Sequence, residues 1–293
     1  MTQSMSRTDL AVLILTKDEE RNLPVALASL APLAADVYVI DSASSDATPA
    51  IAKAAGCNFV SRIFTTQADQ LNWAIDQLPI ENSWVMRLDA DERLTPELAE
   101  ELRARLTQVS PSVTGFEVKR RVYFWGRWIR HGGYYPTWLF RIWRRGTAHC
   151  ESRLMDEHMV SRGGRIERLA HDIIDENRKG LSFWTDKHNR YADREVRNML
   201  ASTTSVMDVA GQARRRRWMK ENAYSRCPLF IRAFAYWFLR YFVLLGFLDG
   251  RPGLVFHFLQ GLWYRFLVDA KLQEHREGVR TKATPDRPNG SLP

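Results

Sequence analysis

Cysteine is scarce in this 293-residue chain, which contains only Cys57, Cys150 and Cys227, far apart from one another. Disulfide-rich scaffolds and zinc ribbons need paired or closely spaced cysteines, so the sequence favours neither class of protein. So low a cysteine content is typical of a reducing compartment. We therefore expect a cytoplasmic protein.

Two glycine-rich phosphate-binding patterns are also missing. The sequence has no Gly-x-Gly-x-x-Gly and no Gly-x-x-x-x-Gly-Lys-Ser/Thr, so neither a dinucleotide fingerprint nor a P-loop is present. Residues 1–8 are polar and form no apolar run with a cleavage site, so we predict no secretory signal. A phosphate ligand would have to be held in another way, such as through a metal ion.

Charge is present in ordinary amount but is distributed unevenly. The first 100 residues hold 7 Lys and Arg against 15 Asp and Glu, whereas the remainder holds 35 against 19. The hydrophobic fraction of 45% is that of a typical folded protein. The basic part of the chain is compatible with nucleic acid, phosphorylated ligands or an anionic membrane surface as a partner.

The first 110 residues alternate between apolar runs and helical patterns. We predict strands at Leu10–Leu15, Asp36–Ile40, Asn58–Ser61 and Trp84–Leu88, each followed by a helix. The first run is almost continuously apolar, as expected for a strand buried on both faces of a parallel sheet. This alternation predicts a doubly wound α/β layer.

Polar side chains follow three of these predicted strands. They are Thr16 and Glu19 after the first strand, Asp41 and Ser42 after the second, and Asp89 and Asp91 after the fourth. In an open α/β sheet the ligand crevice lies at the carboxyl ends of the strands. Alternate residues of an extended chain point the same way, so Asp89 and Asp91 can aim both carboxylates at one divalent cation. The competing interpretation is an acidic turn before a helix that Thr95 caps.

The pattern changes after Thr114. We predict strands at Gly115–Lys119 and Thr137–Trp143, separated by a segment rich in aromatic residues, Arg and Gly that either contacts a ligand or packs at the rim of the sheet. Met155-Asp156-Glu157-His158 is a second acidic group, and a long helix is predicted from about Gly180 to Gly211.

The C-terminal third combines a basic run with long apolar stretches. Arg214–Arg217 precede the apolar stretch Leu229–Leu248, and a predicted turn at Asp249–Gly253 leads to a second stretch, Leu254–Leu272. Arg240 near the middle of the first stretch would cost about 2.5–3.5 kcal/mol at the centre of a bilayer. We therefore predict a helical hairpin that lies in the membrane interface, the alternative being an ordinary packed helical pair.

Four blocks occur in fixed order in the N-terminal region, at Ile14–Leu23, Val39–Thr48, Gln70–Ala74 and Trp84–Glu92. Together they closely resemble the family-two glycosyltransferases, which have a nucleotide-sugar-binding fold of the GT-A type. Three later motifs are similar to the branch of that family that builds lipopolysaccharide cores and exopolysaccharide repeat units in bacteria. These are His131-Gly132-Gly133, Met155–His158 and Leu248–Leu254. One departure is Asp18, where many family members have Asn.

The resemblance implies roles for individual residues. The base and ribose of the nucleotide would be held by Thr16, Glu19 and Asp41, and Gln70 and Asn72 would lie near the sugar diphosphate. The substrate would also be contacted by Ser42, Asp89 and His131. A divalent metal, Mg²⁺ or Mn²⁺, would be bound by Asp91 with Asp89, and His171 or His158 would approach it or the diphosphate. The acceptor hydroxyl would lose its proton to Glu157, or to the neighbouring Asp156.

The implied function is an inverting, metal-dependent transfer of a sugar from a nucleotide donor, with a UDP-sugar favoured, to a lipid-linked glycan. The protein would be peripheral on the inner face of the cell membrane, and no nucleic acid partner is expected. We predict a donor-binding half at residues 1–110, an acceptor and catalytic half at 111–178, a helical membrane-associating region at 179–277 and a disordered tail at 278–293. The alternatives are a sugar nucleotidyltransferase and a non-catalytic basic module that binds nucleic acid through Arg214–Arg217.

Overall fold

The structure is a computed structural model that describes residues 7–151, 158–200 and 227–283. The N-terminal strands are β1 (Leu10–Thr16), β2 (Asp36–Asp41), β3 (Asn58–Ser61) and β4 (Trp84–Arg87). They are parallel neighbours in the order β3-β2-β1-β4. The helices α1 (Leu23–Leu30), α2 (Thr48–Ala54) and α3 (Gln67–Gln77) connect them. All four predicted strands are confirmed, with ends that differ by at most one residue.

The second part of the domain extends the same sheet with mostly antiparallel pairs. Its elements are β5 (Glu92–Leu94), α4 (Pro96–Gln108), β6 (Val113–Phe124), β7 (Arg127–Ile129), β8 (Thr137–Arg144), β9 (Ala148–Cys150), β10 (Met159–Ser161) and β11 (Arg165–Asp175). Within the described residues the sheet continues β4-β8-β6-β11-β5, with β7 paired to β6, while β9 and β10 form a separate ribbon. Strands β6 and β11 are parallel to each other. The predicted α/β fold is confirmed, and the sheet is mixed rather than parallel throughout.

Two apolar clusters cover the two faces of this sheet. Leu10, Val12 and Ile14 of β1 pack on the side of α1 and α4, whereas Ala11 and Leu13 pack on the side of α3. Successive side chains of a strand point to opposite faces. A strand covered by helices on both faces therefore needs an unbroken apolar run, which explains the composition of β1.

The start of α4 is fixed by its sequence. The side chain of Thr95 accepts a hydrogen bond from the backbone N–H of Leu98 (3.2 Å), and Pro96 occupies the first helical position. Both features are favoured at helix N-termini. The predicted cap is confirmed, and it places α4 directly after the acidic cluster that follows β4.

The C-terminal region is helical. Its elements are α5 (Gly180–Leu200), α6 (Ile231–Phe238) with a π-helical turn (Leu239–Val243), a 3₁₀ turn (Gly246–Asp249), α7 (Gly250–Phe256) with a second π-helical turn (His257–Trp263), and α8 (Tyr264–Ala283). We call the segment from Ile231 to Trp263, together with the first turns of α8, the hairpin. Helix α5 packs against α8 through Ala192, Val196, Tyr264, Val268 and Leu272.

The reversal in the hairpin lies earlier than predicted. The predicted turn at Asp249–Gly253 was wrong, because Gly250–Phe256 is helical and the chain reverses at Leu244–Leu245. Leu245 has a positive φ of 60°. At Gly246 a Cβ atom would lie 2.9 Å from the carbonyl oxygen of Arg240 and 2.6 Å from the ring of His257, so only glycine fits this close approach.

Within the described part of the chain, no single helix has both the length and the hydropathy needed to cross a bilayer. Ile231–Val243 and Gly246–Gly278 reach that length and composition only as a pair, and they meet at an angle of 69°. The predicted continuation of α5 to Gly211 and the basic run Arg214–Arg217 lie outside the described residues. Helix α8 continues to Ala283, past the predicted start of the tail at Gly278.

Candidate functional site

Thr16 and Asp41 meet at the carboxyl ends of β1 and β2. They are direct partners in the parallel register, and the Thr16 hydroxyl donates a hydrogen bond of 2.8 Å to Asp41. Asp41 is buried and also accepts from the backbone N–H of Ser44 (2.8 Å). The structure therefore brings these two predicted site residues together, since neighbouring parallel strands end at the same edge.

The surroundings of Asp18 explain why an aspartate fits where many family members have Asn. Its φ of 53° lies in the left-handed region, where Asn and Asp are tolerated better than most other residues. Its carboxylate accepts a hydrogen bond from the backbone N–H of Ser45 (2.7 Å), which lowers the pKa of Asp18. An Asn side-chain oxygen can accept the same bond, so Asp18 performs the same positioning role in this loop.

Glu19 lies in the same loop and is held by two partners. Its carboxylate accepts from the ammonium of Lys179 (2.6 Å) and from the amide of Asn22 (2.8 Å). Burial raises the pKa of Glu19 in spite of these partners. Glu19 was predicted to contact the nucleotide, and here it connects the β1 loop to the chain that precedes α5.

Gln70 and Asn72 have different surroundings although both lie on α3. The Ser42 hydroxyl donates to the side-chain oxygen of Gln70 (3.1 Å), which places both residues near Asp41. Both polar atoms of the Asn72 amide instead bond the backbone of Cys150, at 2.8 and 2.9 Å. Asn72 thus fixes the end of β9, just before residues 152–157. The predicted bases Asp156 and Glu157 lie outside the described residues.

Asp89 lies between two arginines. It accepts from Arg87 (3.1 Å) and from Arg141 (2.9 Å), and Arg141 also donates to Glu92 (2.7 Å). Burial alone would raise the pKa of Asp89, but the charges of Arg141 and Arg87 outweigh it and lower that pKa far below its usual range. Burial raises the pKa of Glu92 to about 7. The negative charge of the Asp89 carboxylate is therefore favoured and compensated by two arginines.

Asp91 has a different environment. Its carboxylate accepts one hydrogen bond from the amide of Asn177 (2.9 Å) and lies 4.0 Å from the ammonium of Lys187. Burial raises the pKa of Asp175 to about 6, and the negative charge of Asp91 adds to that shift. Among the described residues, Asp91 is held by Asn177 and Lys187 and not by the two arginines that contact Asp89, while Asp175 pairs with Arg120 (3.4 Å).

The Asp91 environment fits a divalent cation that is shared with a substrate. Among residues 7–151, 158–200 and 227–283, no group of three His, Cys, Asp or Glu side chains is placed to hold a metal ion. Mg²⁺ in phosphate-transfer and related sites is often bound by one or two carboxylates together with substrate phosphates. Asp91 supplies such a carboxylate, so the donor set fits a shared cation and not a closed protein cage.

His171 lies away from this carboxylate. Its ring nitrogen Nδ1 is 2.9 Å from the carboxylate of Glu101 on α4. The backbone of Asp91 bonds Glu176, which lies five residues further along the chain than His171, a separation of about 16 Å in an extended strand. The structure does not bring His171 to Asp91. His158 donates its backbone N–H to Glu151 (3.1 Å) beside the β9–β10 ribbon.

His131 is bound to the hairpin. Its backbone N–H and its Nδ1 lie 3.0 and 2.7 Å from the carboxylate of Asp249. The adjacent Gly132 receives a hydrogen bond from Arg240 (2.6 Å) and donates one to the carbonyl of Leu244 (2.8 Å). Gly132 has a φ of 68°, and a Cβ atom there would lie 2.1 Å from the ring of His257. The His131-Gly132-Gly133 motif therefore serves close packing against the hairpin.

The family is decided by the sequence profile described as Glycosyl transferase family 2, which matches residues 11–166. The chain belongs to this family. The matched residues contain Thr16, Asp41 and Asp91 and end before α5. The α5 helix and the hairpin of this glycosyltransferase family member are therefore outside the matched region.

Curated relatives match only the N-terminal region. A TPR repeat-containing protein of Synechococcus elongatus is 35% identical over 119 residues, which are 40% of this chain and 28% of that protein. An uncharacterized glycosyltransferase of Rickettsia bellii is 32% identical over 93 residues, which are 32% of this chain and 31% of that protein. The chain thus spans less than a third of the length of either relative.

A solved structure shares the fold over most of the chain. The mannosyltransferase of Pyrobaculum calidifontis, solved in complex with GDP-Man and Mn²⁺, aligns with a TM-score of 0.53 and 14% identity. The alignment covers 92% of this chain and 88% of that one. At this identity the likeness concerns the fold alone, and it confirms the GT-A type architecture expected for a family 2 member.

Sequence reasoning missed several residues of this family 2 site. Arg87 and Arg141 interrupt otherwise apolar strands, and a charged residue in such a strand signals a buried partner. Asn177 and Lys187 carry no comparable signal. They reach Asp91 only because α5 crosses the carboxyl ends of the strands, which depends on the fold and not on local sequence.

Proposed function

We propose that the protein is an inverting glycosyltransferase that moves a sugar from a nucleotide-sugar donor to a lipid-linked glycan in bacterial lipopolysaccharide or exopolysaccharide biosynthesis. A UDP-sugar is the donor that we expect first. The observation that carries the proposal is that β1, β2 and β4 are parallel and end at the same edge of the sheet. The Thr16–Asp41 pair and Asp91 follow these strands at that edge. Family membership and the GT-A type fold support this reading.

The residues divide the work of this reaction. Asp91 would hold Mg²⁺ or Mn²⁺, which when bound neutralises the diphosphate and stabilises the charge that develops on it. Thr16 and Asp41 offer polar groups to the nucleoside at the strand ends. Glu157, or Asp156, accepts the proton of the acceptor hydroxyl as that oxygen attacks the anomeric carbon. Direct displacement inverts the configuration of the transferred sugar.

The donor site is tested by Asp91→Ala. We expect loss of transfer by at least ~100-fold at every Mn²⁺ concentration, because the carboxylate that would hold the cation is removed. The matched control is Asp76→Ala, an exposed position on α3 that leaves the site intact. Full activity of Asp91→Ala would reject the metal role. Release of a nucleoside diphosphate, rather than pyrophosphate from a triphosphate, separates this proposal from a nucleotidyltransferase.

The proton acceptor has a separate test. Glu157→Gln should retain nucleotide binding and lose turnover, since an amide cannot accept the proton. Binding is measured by calorimetry and turnover by release of the nucleoside diphosphate. If Glu157→Gln turns over normally and Asp156→Asn does not, Asp156 is the base.

An apolar surface on the hairpin supports the proposal that the acceptor is lipid-linked. We call it the apolar face. Its exposed members are Ile231, Phe234, Phe238, Leu239, Phe242, Val243, Leu244, Leu245, Phe247, Leu248, Leu254, Phe258 and Phe266, each between 39% and 64% exposed. So many large, exposed apolar side chains in one segment are unusual for a water-soluble monomer and indicate a contact with a membrane or another protein.

Two arginines of the first apolar stretch of the hairpin bind partners within the protein. Arg232 forms a buried ion pair with Asp269, and Arg240 binds the carbonyl of Gly132 while its guanidinium lies 4.4 Å above the ring of Tyr134. Arg232 and Arg240, the two arginines of the first apolar stretch, are thus satisfied inside the protein. The apolar face can enter the interface without carrying either charge with it.

We assign this face to the lipid bilayer on the cytoplasmic side of the membrane. The hairpin lies in the interface, and the His131 loop, which is bonded to it, then faces the acceptor. Phe234→Ser/Phe238→Ser/Phe242→Ser should abolish flotation with phosphatidylethanolamine–phosphatidylglycerol vesicles. The matched control is Ile63→Ser/Phe64→Ser, since both residues are exposed and apolar but lie on the donor half. Equal flotation of the triple variant and the wild type, or none of the wild type, would reject the assignment.

A further inference from the structure

Lys187 reaches the site from α5 and has no role in the reaction described so far. Its ammonium lies 4.0 Å from the carboxylate of Asp91 and 5.7 Å from the centre of the Tyr191 ring. Its position lies beyond residue 166, where the family match ends. Neither the matched family region nor the predicted site residues therefore include it.

Lys187 brings a positive charge close to Asp91. A lysine ammonium is positively charged at neutral pH, and the carboxylate of Asp91 lies 4.0 Å from it. At 4.0 Å the ammonium is too far from Asp91 for a hydrogen bond, which needs about 2.7–3.2 Å. Lys187 is therefore a cation that lies near Asp91 without a hydrogen bond to it.

The chain before α5 positions this cation. The Asn177 amide donates to Asp91 (2.9 Å), the backbone N–H of Arg178 donates to Asn22 (2.9 Å), and Lys179 binds Glu19 (2.6 Å). These bonds attach the start of α5 to the edge where β1 and β4 end. Lys187 follows about two turns into the helix, and it is therefore held on the same side as the Asp91 carboxylate.

We propose that Lys187 binds the diphosphate of the nucleotide-sugar donor, an inference that rests on the proposed function. Without nucleotide, the ammonium is a counter-charge for Asp91. When a divalent cation occupies Asp91, two cations compete for one carboxylate, and the diphosphate becomes the anion that the ammonium can reach. A lysine suits this exchange because its charge is compact and its four-carbon stem is flexible.

The assigned role is compatible with the balance of the transfer step. The acceptor oxygen bonds to the anomeric carbon, the bond from that carbon to the phosphate oxygen breaks, and its electron pair stays with the diphosphate. The hydroxyl proton goes to the base of the proposed function. Lys187 keeps its protons and donates a hydrogen bond to a phosphate oxygen whose negative charge increases.

The test compares four proteins by titration calorimetry: wild type, Lys187→Met, Lys187→Arg and the control Arg190→Met, an exposed position on the same helix. The probes are UDP, UMP, GDP and GMP with Mn²⁺, and Mn²⁺ alone. Lys187→Met should weaken the affinity for the diphosphate by at least ~10-fold and the affinity for the matching monophosphate by less than ~3-fold. Mn²⁺ alone should bind Lys187→Met more tightly, because the competing ammonium is gone.

The remaining outcomes separate this inference from the proposed function. Lys187→Arg keeps the positive charge and should retain most of the diphosphate affinity, and Arg190→Met should match the wild type with every probe. An unchanged diphosphate affinity in Lys187→Met, or equal losses for diphosphate and monophosphate, would overturn the role of Lys187 and leave the proposed function intact. If the wild type binds neither UDP nor GDP with Mn²⁺, the proposed function fails and the inference fails with it.

Discussion

The central sheet and the hairpin both contain long apolar stretches, but the stretches of the sheet are buried and those of the hairpin are partly exposed. Leu13 in β1 is fully buried, whereas Leu239 in the hairpin is 46% exposed. Helices cover both faces of the sheet, but the described elements cover only one side of the hairpin. An apolar run therefore does not by itself identify a core, and the arrangement of its neighbours decides whether it meets protein or another medium.

The two regions also use buried charge differently. At the sheet edge, Arg141 lies between Asp89 and Glu92, close to the candidate metal carboxylate of Asp91. In the hairpin, Arg232 and Asp269 pair at the interface of α6 and α8, on the side away from the apolar face. The first network shapes the charge of a site, and the second removes charge from a surface.

The largest effect on stability is expected from breaking the hairpin ion pair. Asp269→Ala leaves the Arg232 guanidinium buried without its carboxylate, so the free energy of unfolding should fall by about 3–5 kcal/mol. Urea denaturation measures this change. The matched control is Asp193→Ala, which removes the exposed partner of Lys271 and should cost at most ~1 kcal/mol. Equal costs for the two variants would contradict the proposed difference.

The next prediction compares the cost in stability of a Leu→Ala substitution in the sheet and in the hairpin. Leu13→Ala opens a cavity in the fully packed sheet and should lower the free energy of unfolding by about 2–5 kcal/mol. Leu239→Ala removes a side chain that is already half exposed and should cost less than ~1 kcal/mol. Chemical denaturation of both variants checks the comparison. A large loss from Leu239→Ala would show that the apolar face is covered within the protein itself.

A smaller effect is expected at the junction of the two regions, where His188 of α5 packs on Trp184 and Tyr264. Burial lowers the pKa of His188 to about 4. A lowered histidine pKa stabilises the fold above the ordinary value near 6.5, and that contribution is lost as the pH falls from about 6.5 towards 4. The loss should reach about 2 kcal/mol, after allowance for the partial exposure of the ring.

His188→Asn tests this expectation. The wild type should lose more free energy of unfolding between pH 7 and pH 4.5 than the variant, because the variant has no imidazole to protonate. Denaturation curves at both values measure the difference. If the two proteins respond to acid equally, the protonation of His188 is not coupled to folding.

The smallest change in stability is expected on the apolar face. Phe234→Ser/Phe238→Ser/Phe242→Ser exchanges partly exposed rings, so each substitution should change the free energy of unfolding by less than ~1 kcal/mol. The same variant is predicted to lose vesicle flotation completely. In the hairpin, membrane binding should therefore be lost while the stability is retained, whereas a core substitution in the sheet lowers the stability itself. Denaturation without detergent measures the stability of the variant.

Local patterns were sufficient for the donor half of the fold. The apolar run of β1, the cap at Thr95 and the polar residues after β1, β2 and β4 each report a property of a short segment. The pairing of β8 beside β4 was not predictable in this way, because antiparallel contacts between distant segments leave no local signature. The turn expected at Asp249–Gly253 was wrong because Gly253 lies in a helix, packed closely against Asp249, and the chain reverses just before Gly246, which packs against His257.

The candidate site shows the same division. Thr16, Asp41 and Asp91 follow their strands in the sequence, and the sheet brings the strand ends to one edge. The different partners of Asp89 and Asp91 include Arg141 and Lys187, which come from β8 and α5. The roles of Glu157 and Asp156 stay predictions, since they lie outside the described residues.

The bonds at Gly132 fix a distance. The loop that carries His131 is joined to the hairpin by Leu244 and Arg240, at 2.8 and 2.6 Å. A protein docked through that hairpin would carry the loop at a constant height just above the lipid headgroups. Sugars joined closely to a lipid lie at that height, whereas the far end of a long glycan extends beyond it. The hairpin would then act as a ruler that selects acceptors by length.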